Sequence, residues 1–140
     1  MDIIALFKAY AEAFELTYED DDWSRLEPHF APQACYLPGN GQTLNGREKV
    51  IAYLRDNVNK IDRRFDSRTP SLVDAAITDN QFKLTWRAEY KKEGLPDLVI
   101  GGLEIATFED GRIVHLEDIY EPEVVAGFEW WMSEYGDRLV

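Results

Sequence analysis

The chain has one cysteine, Cys35, in 140 residues, so no internal disulfide can form. A single thiol makes the cytoplasm the expected compartment. Two histidines, His29 and His115, without clustered Cys or Asp offer no convincing metal set, and no metal or cofactor is expected. Basic residues are scarce: 15 Lys and Arg stand against 27 Asp and Glu, a net charge of −12. Phosphate backbones and anionic lipids repel such a chain, which argues against nucleic acid and membrane surfaces as partners. No apolar run reaches transmembrane length. The opening MDIIALFKAYAEAF lacks a basic stretch and a small-residue cleavage site, and reads as a first helix, not a signal peptide. There is no glycine-rich phosphate loop: Pro38-Gly39-Asn40-Gly41 does not lead directly into a helix and reads as a turn. Glu19 to Asp22 lacks the spacing of a calcium loop. No repeat, low-complexity tract or linker divides the chain, so one domain over residues 1–140 is expected.

What is present is apolar surface in regular patterns. Hydrophobic residues make up 45% and aromatics 13%, more rings than a minimal core needs, and surplus rings often line a pocket or an interface. Ile3, Phe7, Tyr10 and Phe14 fall on one helical stripe through Thr17. The acidic run Glu19 to Asp22 reads as a joint, with Asp21 or Asp22 capping a short helix through Trp23, Leu26 and Phe30 that Pro32 stops. Ala34 to Leu37 reads as a strand. Asn45 and Glu48 have capping-box spacing for a third helix with Val50, Ile51, Leu54, Val58 and Ile61 as its stripe. The charged segment from Asp62 to Arg68 begins the return to a sheet. Leu72 to Ile77 and Phe82 to Tyr90 read as strands, the second with Phe82, Leu84, Trp86, Ala88 and Tyr90 on one face. Pro122 opens a last helix through Val124, Val125, Phe128, Trp131 and Met132.

The segment from Leu98 to Tyr120 raises the chemical question. Two apolar runs flank Glu109-Asp110-Gly111, a strong hairpin signal. Glu104 lies in the first run, Glu117 and Asp118 in the second. A carboxylate facing a core costs several kcal/mol unless it is paired, protonated or used. Two-residue alternation puts Val114, Leu116, Asp118 and Tyr120 on one face, and His115, Glu117 and Ile119 on the other. The fold class that follows is α+β, a curved antiparallel sheet wrapping helices into a cone with an apolar interior.

Three segments, DDWSRLEPHFAPQACY, LNGREKVIAYL and FEDGRIVHLEDIYEP, together with the element order, resemble the nuclear transport factor 2-like superfamily, in particular its SnoaL-like and ketosteroid-isomerase-like branches. The resemblance implies a cone-shaped α+β barrel, a small-molecule pocket and a homodimer. Asp118, seven residues after Gly111, resembles the acid/base aspartate of SnoaL-like cyclases and of limonene-epoxide-hydrolase-like enzymes. An apolar pocket would hold such a carboxylate near its working pKa; the plainer reading is an ion pair at the wet end of the strand. Glu104 falls where ketosteroid isomerases place a protonated carboxyl that donates to the substrate oxygen, and Tyr10 resembles their oxyanion-hole tyrosine. The plainer readings are a cross-sheet salt bridge from Glu104 to Arg87 or Lys83, and a core position for Tyr10. Pro38, which cannot take a proton, stands where the base of those isomerases would fall. Arg87 and Glu89 have the Arg-x-acid spacing of the epoxide hydrolases, with Arg87 tuning the carboxylates, or else belong to a solvated charged face. Tyr36 resembles the tyrosine that positions water in that group.

The candidate catalytic residues are therefore Asp118, Glu104, Tyr10 and Arg87. Tyr36, Phe14, Trp23, Leu116, Tyr120 and Glu89 are the candidate pocket residues. The expected function is cofactor-independent acid/base chemistry of isomerase, cyclase or hydrolase type on a small, mostly apolar molecule. The alternatives are a non-catalytic ligand-binding module and, with least support, a protein-interaction adaptor. The dimer contact is expected on an outward sheet face carrying Leu84, Trp86, Leu103, Ile105 and Ile119. Of Trp130 and Trp131, one is expected to cover the open end of the cone and the other to enter a dimer contact.

Overall fold

The computed structural model describes residues 2–139. Helix α1 (Ile3–Asp20) is capped by Asp2, whose side chain accepts from the Ala5 amide, and ends on Asp21 in the left-handed conformation. A 3₁₀ segment, Trp23–His29, leads into strand β1 (Phe30–Leu37). The two-residue strand β2 (Leu44–Asn45) precedes α2 (Arg47–Lys60). A 3₁₀ turn, Asp62–Arg64, opens a run of long strands: β3 (Ser67–Thr78), β4 (Gln81–Lys91), β5 (Leu98–Glu109) and β6 (Arg112–Ile119). Helix α3 (Pro122–Tyr135) and a last 3₁₀ turn follow. The six strands form one sheet in the order β2-β1-β6-β5-β4-β3. The β1–β6 pair is parallel and the others antiparallel, so the fold is α+β as expected.

Several local expectations are corrected. The second helix is 3₁₀ and ends before Phe30, because Pro28 inside it has no amide to continue an α ladder. Pro32 does not stop that helix; it sits inside β1, where the pairing with β6 shifts register between Phe30 and Cys35 and no donor is required. Asp22 occupies the N-cap of the 3₁₀ segment, as expected, but its side chain makes no capping hydrogen bond. Asp21 instead accepts from the Trp23 indole at 2.6 Å, and Asp20 takes Arg25 at 2.5 Å. The N-cap of α2 is Gly46, at φ 98°, while Asn45 pairs with Cys35 in β2. Strand β3 begins at Ser67, five residues earlier than the hydrophobic pattern indicates. It is an edge strand and so accommodates Pro70.

The hairpin from β5 to β6 forms as expected, with Asp110 and Gly111 both at positive φ. Its register then shifts: Phe108 faces Ile113, but Thr107 faces His115. Val114 is the extra residue of this β-bulge. Ile113 and Leu116 are consequently both buried, and Val114 does not share the inner face with Leu116 as strict alternation requires.

The buried side chains form two groups. The larger joins α1, α2 and the inner face of β6 through Phe7, Tyr10, Phe30, Val50, Phe108 and Ile113. The smaller closes the far end of the cone with Phe65, Tyr90, Leu98, Trp131 and Leu139. Trp131 donates its indole N–H to the Pro96 carbonyl at 3.1 Å, whereas Trp130 is 57% exposed. The chain end is clasped by Arg64, whose guanidinium donates to the Leu139 carbonyl at 2.7 Å and to the Gly136 carbonyl at 3.2 Å.

Candidate active site

Between α1 and the concave face of the sheet lies a cavity of about 1140 Å³, large for a single-ligand pocket. Its chemistry starts from cross-strand register. Glu104 on β5 stands directly opposite Asp118 on β6, and Leu84 on β4 is the next partner of Glu104. Glu104, Leu116, Asp118 and Tyr120 all face the cavity, together with Tyr10 and Phe14 from α1 and Tyr36 from β1.

Burial pushes the Asp118 carboxyl up to about 6, against hydrogen bonds from Tyr36 and Glu104 that favour its charged form. The Tyr36 hydroxyl donates to Asp118 Oδ2. Burial raises Glu104 far above the usual carboxylate range, and the adjacent Asp118 charge and their mutual hydrogen bond raise it further. Two carboxyls this close share a proton more readily than they both ionise. At neutral pH the pair holds one proton, with Glu104 as the acid and Asp118 as the carboxylate. Asp118 Oδ1 is buried and receives no hydrogen bond from a fixed donor.

Tyr10 and Tyr36 are pushed well above an ordinary phenol, first by burial and then by the carboxyl pair, so both stay protonated donors. The ring of Tyr120 is seated between two glycines. A Cβ at Gly39 would lie 2.9 Å from it and 2.7 Å from the Asp118 carbonyl, and a Cβ at Gly102 would lie 3.1 Å from it. The indole of Trp86 meets the same ring edge-on, centroids 6.1 Å apart.

A second polar cluster lines the other end of the cavity. Asp62 is buried; it accepts from the Tyr90 hydroxyl at 3.3 Å and lies 3.4 Å from Arg68 Nε. Arg68 also donates to Glu15 at 2.9 and 3.0 Å. Burial raises Asp62 to about 6, with Arg68 opposing the shift. In the sequence this segment is marked only as a charged return to the sheet. No local pattern joins Glu15 to Arg68, 53 positions away; only the fold does.

Three expected site residues lie elsewhere. Arg87 is 54% exposed on the opposite face of β4, paired with Glu89 at 3.6 Å, so neither can tune the inward carboxyls. Period-two alternation requires this once Leu84 and Trp86 face in. Trp23 packs beneath α1 against Phe14, with its indole bonded to Asp21, and does not line the cavity. The outward sheet face is corrected in the same way: Leu84 and Trp86 line the cavity, leaving Leu103, Ile105 and Ile119 on the far side. Glu104 makes no salt bridge to Arg87 or Lys83. Among the described residues no three His, Cys, Asp or Glu side chains converge to hold a metal ion, and no helix is long and apolar enough to cross a membrane.

Comparison with known folds agrees with this architecture. An NTF2-like protein of unknown function from Burkholderia pseudomallei superposes with a TM-score of 0.70 at 16% identity, covering 95% of this chain and 99% of that one. An LEH-like epoxide hydrolase from M. tuberculosis gives 0.62 at 12% identity, covering 92% and 93%. A putative polyketide cyclase from Xanthomonas campestris gives 0.58 at 19% identity, covering 93% and 97%. No curated protein matches. At these identities the neighbours share the fold. The sequence profile of the SnoaL-like domain matches residues 7–116, most of the chain, and the protein belongs to the SnoaL-like family.

Proposed function

We propose that the protein is a cofactor-independent acid/base enzyme acting on a small, mostly apolar molecule that contains a carbonyl or comparable oxygen. The observation that carries this reading is the direct pairing of Glu104 with Asp118 inside one cavity. Asp118 takes a proton from carbon, the C–H electron pair moves into the carbonyl, and Glu104 donates to the oxygen as it gains charge. Tyr10 adds a second donor near that oxygen, and Tyr36 holds the Asp118 carboxylate in place. Return of the proton from Asp118 to carbon, with the oxygen's proton going back to Glu104, closes the cycle. The putative polyketide cyclase and the LEH-like epoxide hydrolase among the structural neighbours are consistent with such chemistry.

The test is isotope exchange. 1,3-Diacetylbenzene in D₂O should exchange its acetyl protons faster with the protein than in buffer, followed by loss of the methyl NMR signal. The protein-dependent rate should rise with pH through about 6 as Asp118 ionises, and fall again at alkaline pH as Glu104 loses its proton. Ketone binding without any protein-dependent exchange would assign the cavity to a non-catalytic ligand-binding module.

The chain is proposed to act as a homodimer through the outer sheet face. Ile119 is 41% and Val99 44% exposed there, beside Leu103 and Ile105, an apolar surface that water disfavours. Sedimentation velocity should give a dimer at micromolar concentration and a monomer for Ile119→Glu. A monomeric wild type would end the proposal.

A further inference from the structure

The cavity stays apolar up to its mouth. Leu16 of α1, Leu72 of β3 and Val125 of α3 line it, yet they are 53%, 64% and 39% exposed. Among the described residues, these are the large exposed apolar side chains that also line the cavity. One exposed leucine is ordinary, but three converging from separate elements on one opening form a patch that water disfavours. Its cause lies in β3. From Thr69 to Thr78 every residue of that strand is exposed. Leu72 pairs with Trp86, which lines the cavity, so Leu72 also faces the concave side and is left uncovered there.

The patch is continuous with the carboxyl pair. Glu104 is paired with Leu84, and Leu72 with Trp86, two residues further along β4. Two strand spacings across and one two-residue step along put Leu72 about 12 Å from Glu104. Leu84, Trp86, Ile100 and Phe128 supply apolar wall to the same cavity. The charged side chains of the lining at α1 and α3, Lys8, Glu12 and Glu129, are exposed and can turn their heads to water. The cavity volume of about 1140 Å³ exceeds the roughly 300–1,000 Å³ of pockets that enclose one drug-sized ligand. A short ketone held at Glu104 and Asp118 would leave the outer part as water against apolar walls. The outer sheet face with Val99 and Ile119 lies on the other side of the sheet, so the homodimer proposed above does not cover this patch.

We propose that the ligand is a long-chain carbonyl compound: its carbonyl head sits at Glu104 and Asp118, and its alkyl tail runs outward along the cavity and covers Leu16, Leu72 and Val125. The position of the head rests on the acid/base reading above; the tail rests on the exposed rim alone. Leu16 and Leu72 are then specificity-determining residues that select for chain length.

The test is calorimetric binding of three methyl ketones that differ only in tail length: 2-heptanone, 2-nonanone and 2-undecanone. Wild-type affinity should rise about two- to fourfold with each added methylene through 2-undecanone, as it does when each new CH₂ leaves water. The double variant Leu16→Gln, Leu72→Gln alters two exposed positions and adds no charge. It should bind 2-heptanone within about twofold of wild type and 2-undecanone at least about fivefold more weakly. Ile77→Gln, at an exposed position of the same strand outside the cavity, should leave all three affinities unchanged. A wild type that binds none of the ketones, or whose gain stops at 2-heptanone, overturns the proposal. So does a double variant with wild-type affinity for 2-undecanone, including one that changes only the sedimentation of the protein, which would give the patch to a second copy of the chain. None of these outcomes depends on proton exchange. An Asp118 that proved catalytically idle would leave the chain-length gain intact, and a missing gain would leave exchange of 1,3-diacetylbenzene intact.

Discussion

Asp118→Asn should reduce protein-dependent proton exchange by roughly 10²- to 10⁴-fold, the usual contribution of one positioned acid or base. The substitution is nearly isosteric. The Tyr36 hydroxyl can still donate to the amide oxygen, so the side chain stays where Asp118 sits. The lost property is basicity. The fold should not suffer, because a buried charge with one unpartnered oxygen has been removed. Diketone affinity should remain within about threefold of wild type, which separates loss of chemistry from loss of binding. Glu104 should respond as well. Without the neighbouring carboxylate, the charge repulsion that keeps it protonated disappears and only burial remains, so its proton should leave at lower pH. Exchange at the wild-type rate in Asp118→Asn would remove Asp118 from the mechanism.

Gly39→Ala should be the most damaging of the small substitutions around the cavity. Gly39 has φ +89°, and its Cβ would stand 2.7 Å from the Asp118 carbonyl and 2.9 Å from the Tyr120 ring. Gly41 has nearly the same backbone, at φ +86°, but nothing lies within 4 Å of its Cβ position. Both variants bear the cost of an L-residue at positive φ, about 1–2 kcal/mol. Only Gly39→Ala must also displace the end of β6. Urea unfolding should therefore place Gly39→Ala at least about 1 kcal/mol below Gly41→Ala. Exchange should fall by more than about tenfold in Gly39→Ala alone, because a shift of this size moves the base relative to the substrate carbon. Equal stabilities would show that the carbonyl and ring yield freely.

The features that could be read from sequence are those encoded locally. The Asp110-Gly111 turn, the helical stripes and the inward direction of Asp118 each follow from a few adjacent residues. The pairing of Asp118 with Glu104 does not. Counting back from the two-residue turn puts Glu104 opposite Glu117, and the inserted Val114 moves it opposite Asp118. A bulge has no composition of its own here, so the residue that makes the dyad is a valine in a run of strand formers. The start of β3 was hidden for a related reason: Ser67 to Ser71 is polar and contains Pro70, and an edge strand needs neither an apolar pattern nor every donor. Arg87 and Glu89 were drawn into the expected site by spacing resemblance alone, although the alternation of β4 already placed them on the outer face.

That edge strand also governs how copies of the chain can meet. Leu72 and Val73 of β3 are 64% and 62% exposed, and a long apolar border of this kind invites another chain to dock as a seventh strand. Pro70 removes one amide from the border, and the register shift between Leu72 and Asp74 bends the border next to it. The uninterrupted stretch left for a visiting strand is only Asp74 to Thr78. Growth of the sheet from molecule to molecule is thereby hindered at its open side, which leaves the broad outer face as the surface for the proposed homodimer.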